Sequence, residues 1–479
     1  MSEAPAQKPL RWYDAITINV YFFALTLRSQ ALSPLIVPLL VQQFVGDASK
    51  GSSYGSMRLV SLMVALLVQA VAGQLSDNNT SRWGRRRPFI LVSTLLEIGA
   101  FLALGWIAGR MDGTSGYWAL FAVMVCSMIF SNIGHGAAQG LIPDLVPPSQ
   151  RGRYSGIKAL FELPLPLIFV AFTISRLVTA GNLRTAIAAI IAVFVGATAL
   201  AMTVRETPLK QPAKPADWAG ILRLVGMTGL FTMVILLIGS GVRLLVPRLL
   251  ALDGTAGLLL VGMVGVAGML LAVALGVIAS VKISLGKQAN AHPDFTWWVI
   301  NRLAFLVGAN NLGSFVLYFI QERFPLLQGN AAAQPASMLM LVVGAAILVI
   351  SIPSGWLTDK FGARRLLLIS GILAAVGTAV VILSRGMPMM MVGGALVGLA
   401  TGAFFTSNWA LGTSIVPREE AGRWLGISNL AGAGAGAIGA YIGGPIGDGA
   451  GYLLLMGLYG ILFLFSTLAL IKIKPEAGA

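Results

Sequence analysis

The sequence predicts an all-α membrane protein of fourteen transmembrane helices, two six-helix bundles with two further helices between them. Three observations predict it. Of the 479 residues, 57% are hydrophobic and 11% charged, whereas roughly 25% of an ordinary soluble domain is charged. Apolar runs of about 20 residues, enough to cross about 30 Å of hydrocarbon, recur along the chain. Short motifs of the first part return at corresponding places in the last part, the mark of an internal repeat.

The first six spans lie near 15–44, 55–76, 88–109, 116–142, 154–178 and 183–204. A polar linker, Arg205 to Asp217, precedes two more near 220–250 and 255–281. A second linker, Lys282 to Asp294, leads to the last six near 296–323, 335–357, 366–384, 387–414, 424–446 and 450–471. The expected organisation is therefore a bundle at 12–205, linkers with two inserted helices at 206–293, and a bundle at 294–473.

The net charge of +15 is carried by short loops on one side of the bundle, including Arg82, Arg85, Arg86, Arg87, Arg151, Arg153, Lys210, Lys214, Lys287, Lys360, Arg364, Arg365, Arg418 and Lys474. Basic residues in short loops mark the cytoplasmic face, so a cytoplasmic (inner) membrane protein with both termini cytoplasmic is expected. The same distribution argues against nucleic acid, because no basic stripe carries interleaved aromatics. Period-2 strands of a membrane barrel are absent. Lone Cys126 forms no internal disulfide, and residues 1–14, with Lys8 and Arg11, have no cleavable signal pattern. With no metal constellation, nucleophile triad or phosphate-cradling loop, neither an enzyme nor a cofactor is expected. The expected partners are the lipid bilayer, a small-molecule substrate and protons or another monovalent cation, and the chain is expected to be a monomer.

The repeat is explicit. Gly73-Gln-Leu-Ser-Asp77 returns as Gly355-Trp-Leu-Thr-Asp359, and Gly84-Arg-Arg-Arg87 as Gly362-Ala-Arg-Arg365. Val146-Pro-Pro-Ser-Gln-Arg-Gly-Arg-Tyr-Ser-Gly-Ile157 matches Val416-Pro-Arg-Glu-Glu-Ala-Gly-Arg-Trp-Leu-Gly-Ile427. Glycine lets helix ends approach, an aspartate at a helix end accepts charge-assisted hydrogen bonds, and clustered arginines pair with it. Gly73, Asp77, Arg82, Gly84, Arg85, Arg86, Arg87, Asp359, Gly362, Arg364 and Arg365 thus read as a gating latch, or for the arginines as charges that only set topology.

This cluster resembles the signature loop of the major facilitator superfamily, which implies that fold and alternating access. The longer stretch Gly73-Gln-Leu-Ser-Asp-Asn-Asn-Thr-Ser-Arg-Trp-Gly-Arg-Arg-Arg-Pro-Phe-Ile90 is similar to the loop of sucrose:proton and glycoside:cation symporters, which implies a sugar or glycoside substrate. Those carriers hold an embedded aspartate in the first helix and an arginine in the fourth, where this chain has Arg28 and His135. Bacteriochlorophyll-delivery proteins share a similar loop and imply the alternative of a non-transporting pigment or assembly factor.

An ionisable side chain inside the membrane costs roughly 3 kcal/mol even on lenient scales, so each is a candidate site residue. Lys158 and Glu162, four apart on one helix face, form either a proton-coupling switch or a structural pair. Arg28 and Arg302, in equivalent spans, would hold a carboxylate or phosphate, the organic-anion alternative. Glu97 suits structural pairing or coupling, and His135 titration near neutral pH. Gln30, Gln139, Asn310, Asn311 and Asn408, with Trp409, offer amides and a stacking face for a sugar.

Overall fold

The structure, a computed structural model, describes residues 10–11, 13–206, 208, 218–252, 254–286, 288–416 and 421–473. Lys8, Lys210, Lys214, Lys287, Arg418, Lys474 and the motif residues 417–420 lie outside the described residues.

The crossing helices are α1 (Asp14–Val45), α2 (Asp47–Asp77), α3 (Arg87–Arg110), α4 (Gly113–Leu145), α5 (Pro148–Thr179), α6 (Leu183–Ala201), α7 (Trp218–Leu250) and α8 (Thr255–Leu285). After them come α9 (Pro293–Ser314 and Val316–Arg323, bent by 58°), α10 (Gly329–Phe361), α11 (Ala363–Leu383), α12 (Met387–Ile415), α13 (Ala421–Ala450) and α14 (Tyr452–Lys472). Among the described residues twelve helices are long and apolar enough to cross a membrane, thirteen with the bent α9. The glycine-rich α13 has the length but is not among them, so the expected count of fourteen stands one short by this measure. The chain is a multi-pass membrane protein.

Helix pairing repeats with the sequence. In the first six helices α1 packs on α5 and α6, α3 on α4 and α6, and α2 on α4. In the last six α9 packs on α13 and α14, α11 on α12 and α14, and α10 on α12. Each pairing is the other shifted by eight helices, which is what a duplicated bundle requires. Among the described residues two main seams join the halves, α2 with α13 and α5 with α10, and the π turn of α1 adds contacts to α9 and α10.

The inserted pair sits outside both bundles. Helix α7 leans on α13 and α2, and α8 on α13, α9 and α14. Leu222, Leu230, Met233, Leu237 and Leu244 of α7 face outward and exposed, a cost in water but none in lipid.

Corresponding helices of the two halves are broken. A π-helical turn, Leu32–Ile36, interrupts α1 at Pro34, which has no N–H to give. Its counterpart α9 bends at Phe315. A second π turn, Val170–Ile174, lies in α5 beyond the break at Leu163–Pro164. Discontinuous helices at corresponding positions mark a transporter's solute site.

Candidate substrate cavity and its two ends

A cavity of about 1010 Å³ runs from Arg28, midway along α1, to Gly73 and Asp77 at the motif end of α2. Among the described residues its walls are almost wholly N-terminal: Phe22, Arg28 and Ser29 of α1, Gln69 and Gln74 of α2, Asn132, His135 and Gln139 of α4, and Glu162 of α5. Leu224 and Ala433 alone come from later helices.

Arg28 points across the bundle. Its guanidinium pairs with Glu97 of α3 and donates to Ser127 Oγ of α4 at 2.6 Å, while Glu97 is fully buried. One charged pair thus ties three helices together behind the cavity wall. Lys158 Nζ stands 3.3 Å from Glu162 Oε1 and 4.3 Å from the centroid of Phe22. Phe22 also meets His135 edge-on, and His135 Nε2 lies 3.2 Å from Gln139 Nε2. The structure therefore gathers Arg28, His135, Gln139 and Glu162 on the cavity wall, with Lys158 beside Glu162.

The remaining candidates lie outside this lining. Gln30 is half-buried and does not reach it. Arg302 donates to Asn408 Oδ1 at 2.8 Å, and Asn408 donates to Asn301 Oδ1 at 3.2 Å. Asn311 is fully buried, donating to the carbonyls of Val307 at 2.9 Å and Ala435 at 3.0 Å. Asn310 reaches the Gly432 carbonyl at 3.4 Å, and Trp409 is half exposed without touching the cavity. Arg28 lines the cavity and Arg302 does not; Arg302 reaches α12 through its bond to Asn408, while its Nε is buried without a hydrogen-bond partner. The buried amides Asn311 and Asn408 thus bond to neighbouring helices, with Asn311 Oδ1 left without a partner.

The end opposite the motifs is sealed. Asp448 of α13 accepts the N–H of Gly51 and of Ser52, both at 2.7 Å, and the Tyr452 hydroxyl at 3.0 Å. Lys50 Nζ bonds Asp47 at 2.8 Å and lies 4.9 Å from the centroid of Tyr318, whose hydroxyl donates to the Pro38 carbonyl at 2.7 Å. Closeness depends on small residues: a Cβ on Gly55 would run into the Ala440 carbonyl, and one on Gly444 into Gly51.

At the motif end the first latch is closed upon itself. Arg86 pairs with Asp77, bonds Asp144 at 2.9 Å and donates to Ser76 Oγ at 2.8 Å. Arg85 Nε also meets Asp144, at 2.9 Å, which raises the already high Arg85 pKa. Glu206 accepts the Arg86 N–H at 2.8 Å, beside Gly84 at φ +100°, where a side chain would be strained and would strike Glu206. Burial raises the Glu206 pKa, opposed by these backbone N–H groups. Arg82 is exposed and Arg87 half-buried. In the second motif Asp359 and Arg365 are exposed, and among the described residues no ion pair joins Asp359 to Arg364 or Arg365. The sequence reading missed Asp144 and Glu206 as latch members, although both are acids flanking the repeated loops.

The Major Facilitator Superfamily matches residues 18–321 and 303–478, and the chain belongs to it. It is similar to the lactose permease of Lactobacillus helveticus, 28% identical over 140 residues that make up 27% of this chain and 22% of the permease. It is also similar to the human proton-associated sugar transporter A, 32% identical over 137 residues, 26% of this chain and 17% of that protein. The matched stretches thus span about a fifth of these relatives' length. A crystal structure of a D-xylose-proton symporter superposes with a TM-score of 0.64 at 16% identity, covering 97% of this chain and 99% of that one, and shares the fold.

Proposed function

We propose that the chain is a secondary active carrier of a sugar or glycoside, coupled to protons or another cation and working by alternating access. The observation that carries this reading is the asymmetry of the cavity, open past Asp77 and sealed by Asp448 on the helix α2 terminus. That is one of the two end states such a cycle needs. The sugar-carrying relatives support the substrate class. Residues 12–205 and 294–473 act as the rocking halves, 206–293 as their external insert, and the motif end faces the cytoplasm of a cytoplasmic membrane with both termini. The carrier works as a monomer.

Arg28, His135 and Gln139 contact solute in this state, and Glu162, with Lys158, carries the proton. Uptake of a labelled sugar and glycoside panel into proteoliposomes, with and without a pH gradient, tests the reading. Accumulation of one sugar driven by the gradient is expected; absence of uptake for the whole panel by folded protein sinks it.

A further inference from the structure

Beside the deep end of the cavity lies an alcove of about 100 Å³, and the two share Arg28, Ser29, Leu62 and Met128 as wall. Its distinctive member is Arg58 of α2. That residue sits about 16 Å along the helix from Asp47 at about 1.5 Å per residue, about a third of the way along α2. Its guanidinium donates to two hydroxyls, Ser33 and Tyr54, the latter at 3.2 Å. Among the described residues it pairs with no carboxylate. Its Nε is buried without a hydrogen-bond partner, and so is Ser61 Oγ, one helical turn further along the same wall. Arg28, the other cation here, is neutralised by Glu97 from behind, while its Nη1 touches only Met128 sulfur, at 4.0 Å.

A half-buried guanidinium whose Nε is buried without a partner and whose other partners are hydroxyls alone, with an orphaned hydroxyl beside it, is costly to keep unless something negative arrives. The planar donor fork fits a carboxylate or phosphate. The alcove has room for such a group and not for a whole hexose, whereas the cavity beside it has room for the sugar. We propose that the alcove is an anion subsite, in which Arg58, Ser61 and the free edge of Arg28 take the carboxylate or phosphate of an acidic sugar. This rests on the sugar-carrier reading and narrows it: the solute enters acid group first and displaces nothing charged.

The test first reads the alcove without any solute. In the full chain with Cys126→Ser and Ser29→Cys, the remaining thiol is modified by a sulfonate-bearing and by a trimethylammonium-bearing methanethiosulfonate, each rate divided by that reagent's rate with a free thiol. The anionic reagent is expected to be favoured about tenfold, since a charged cleft concentrates counter-ions. Arg58→Gln should abolish that preference and Arg58→Lys retain it. Equal normalised rates, or a preference untouched in Arg58→Gln, overturn the subsite.

Protection of the same cysteine by hexoses, by their uronates and by their 6-phosphates then reads the solute. An acidic sugar is expected to protect best, with an affinity loss of about tenfold in Arg58→Gln, the scale of one charge-assisted contact. The uronate and phosphate arms separate the two anions. Neutral hexose binding as tightly as both acids overturns the inference and leaves the sugar reading standing. If the reagent preference holds while no sugar protects, the sugar reading falls and the anion subsite remains.

Discussion

Asp448 caps the first turn of helix α2, accepting the N–H groups of Gly51 and Ser52 at 2.7 Å each, although it belongs to the other half of the molecule. A carboxylate there meets unpaired helix donors and the positive end of the helix dipole together. This contact must break before the sealed end can open.

Asp448→Asn keeps the shape of the cap and removes its charge. Hydrogen bonds to charged groups are worth about 1.5–3 kcal/mol, so the balance between the two end states should move by about tenfold or more toward the one open at the Asp448 end. Labels on α2 and α13 near that end, read by pulsed spin-resonance distances, should report the longer separation in the variant.

The Arg28–Glu97 pair is expected to behave as a structural unit. Arg28→Leu leaves a fully buried carboxylate alone and should cost about 3–5 kcal/mol, whereas Arg28→Leu with Glu97→Leu should recover most of it. Thermal unfolding in detergent measures both. A double variant no better than the single one would show that Glu97 is not held by Arg28.

For the latch, Asp77→Asn should slow transport several-fold while leaving equilibrium binding of the transported sugar unchanged, because Asp77 spends its charge on Arg86 at the mouth of the cavity. Binding measured on purified, folded protein checks this. Lost affinity would mean that the solute itself touches the motif.

Glu206 gives a pH signature. Burial raises its pKa above the ordinary 4.5, so the folded protein holds that proton more tightly than the unfolded chain. The stabilisation is complete below the ordinary value and is lost as pH rises through the folded one. Between about pH 4 and pH 7 the melting temperature of the native chain should therefore fall relative to Glu206→Gln, which has no proton to lose. A gap that is constant or runs the other way contradicts this.

Glu162→Gln tests coupling. Accumulation driven by a pH gradient should vanish, while exchange of labelled for unlabelled sugar continues, since exchange moves no net proton. Full accumulation by the variant would pass the role to His135, on the same wall.

Hydropathy made the spans and their duplication legible, because crossing length and motif spacing are one-dimensional properties. Depth was not. The sequence reading starts the second span at 55, which leaves Arg58 at a membrane edge where a long side chain reaches water. The helix starts at Asp47, and the same residue instead lines the alcove beside Arg28, half-buried. Pairings across helices, such as Arg28 with Glu97 and Asp448 with Gly51, depend on rotation and were beyond a reading of periodicity. Amides such as Asn311 look alike in sequence whether they face a solute or a neighbouring carbonyl.

The position of α7 and α8 makes the two seams between the halves unequal. Helix α7 lies along the α2–α13 seam and holds on to both helices, so a lipid tail meets a second layer of protein there. The α5–α10 seam has no such cover among the described residues. For the rocking cycle proposed above, the α2–α13 flank would pass its motion to the lipid through two added helices and the α5–α10 flank directly.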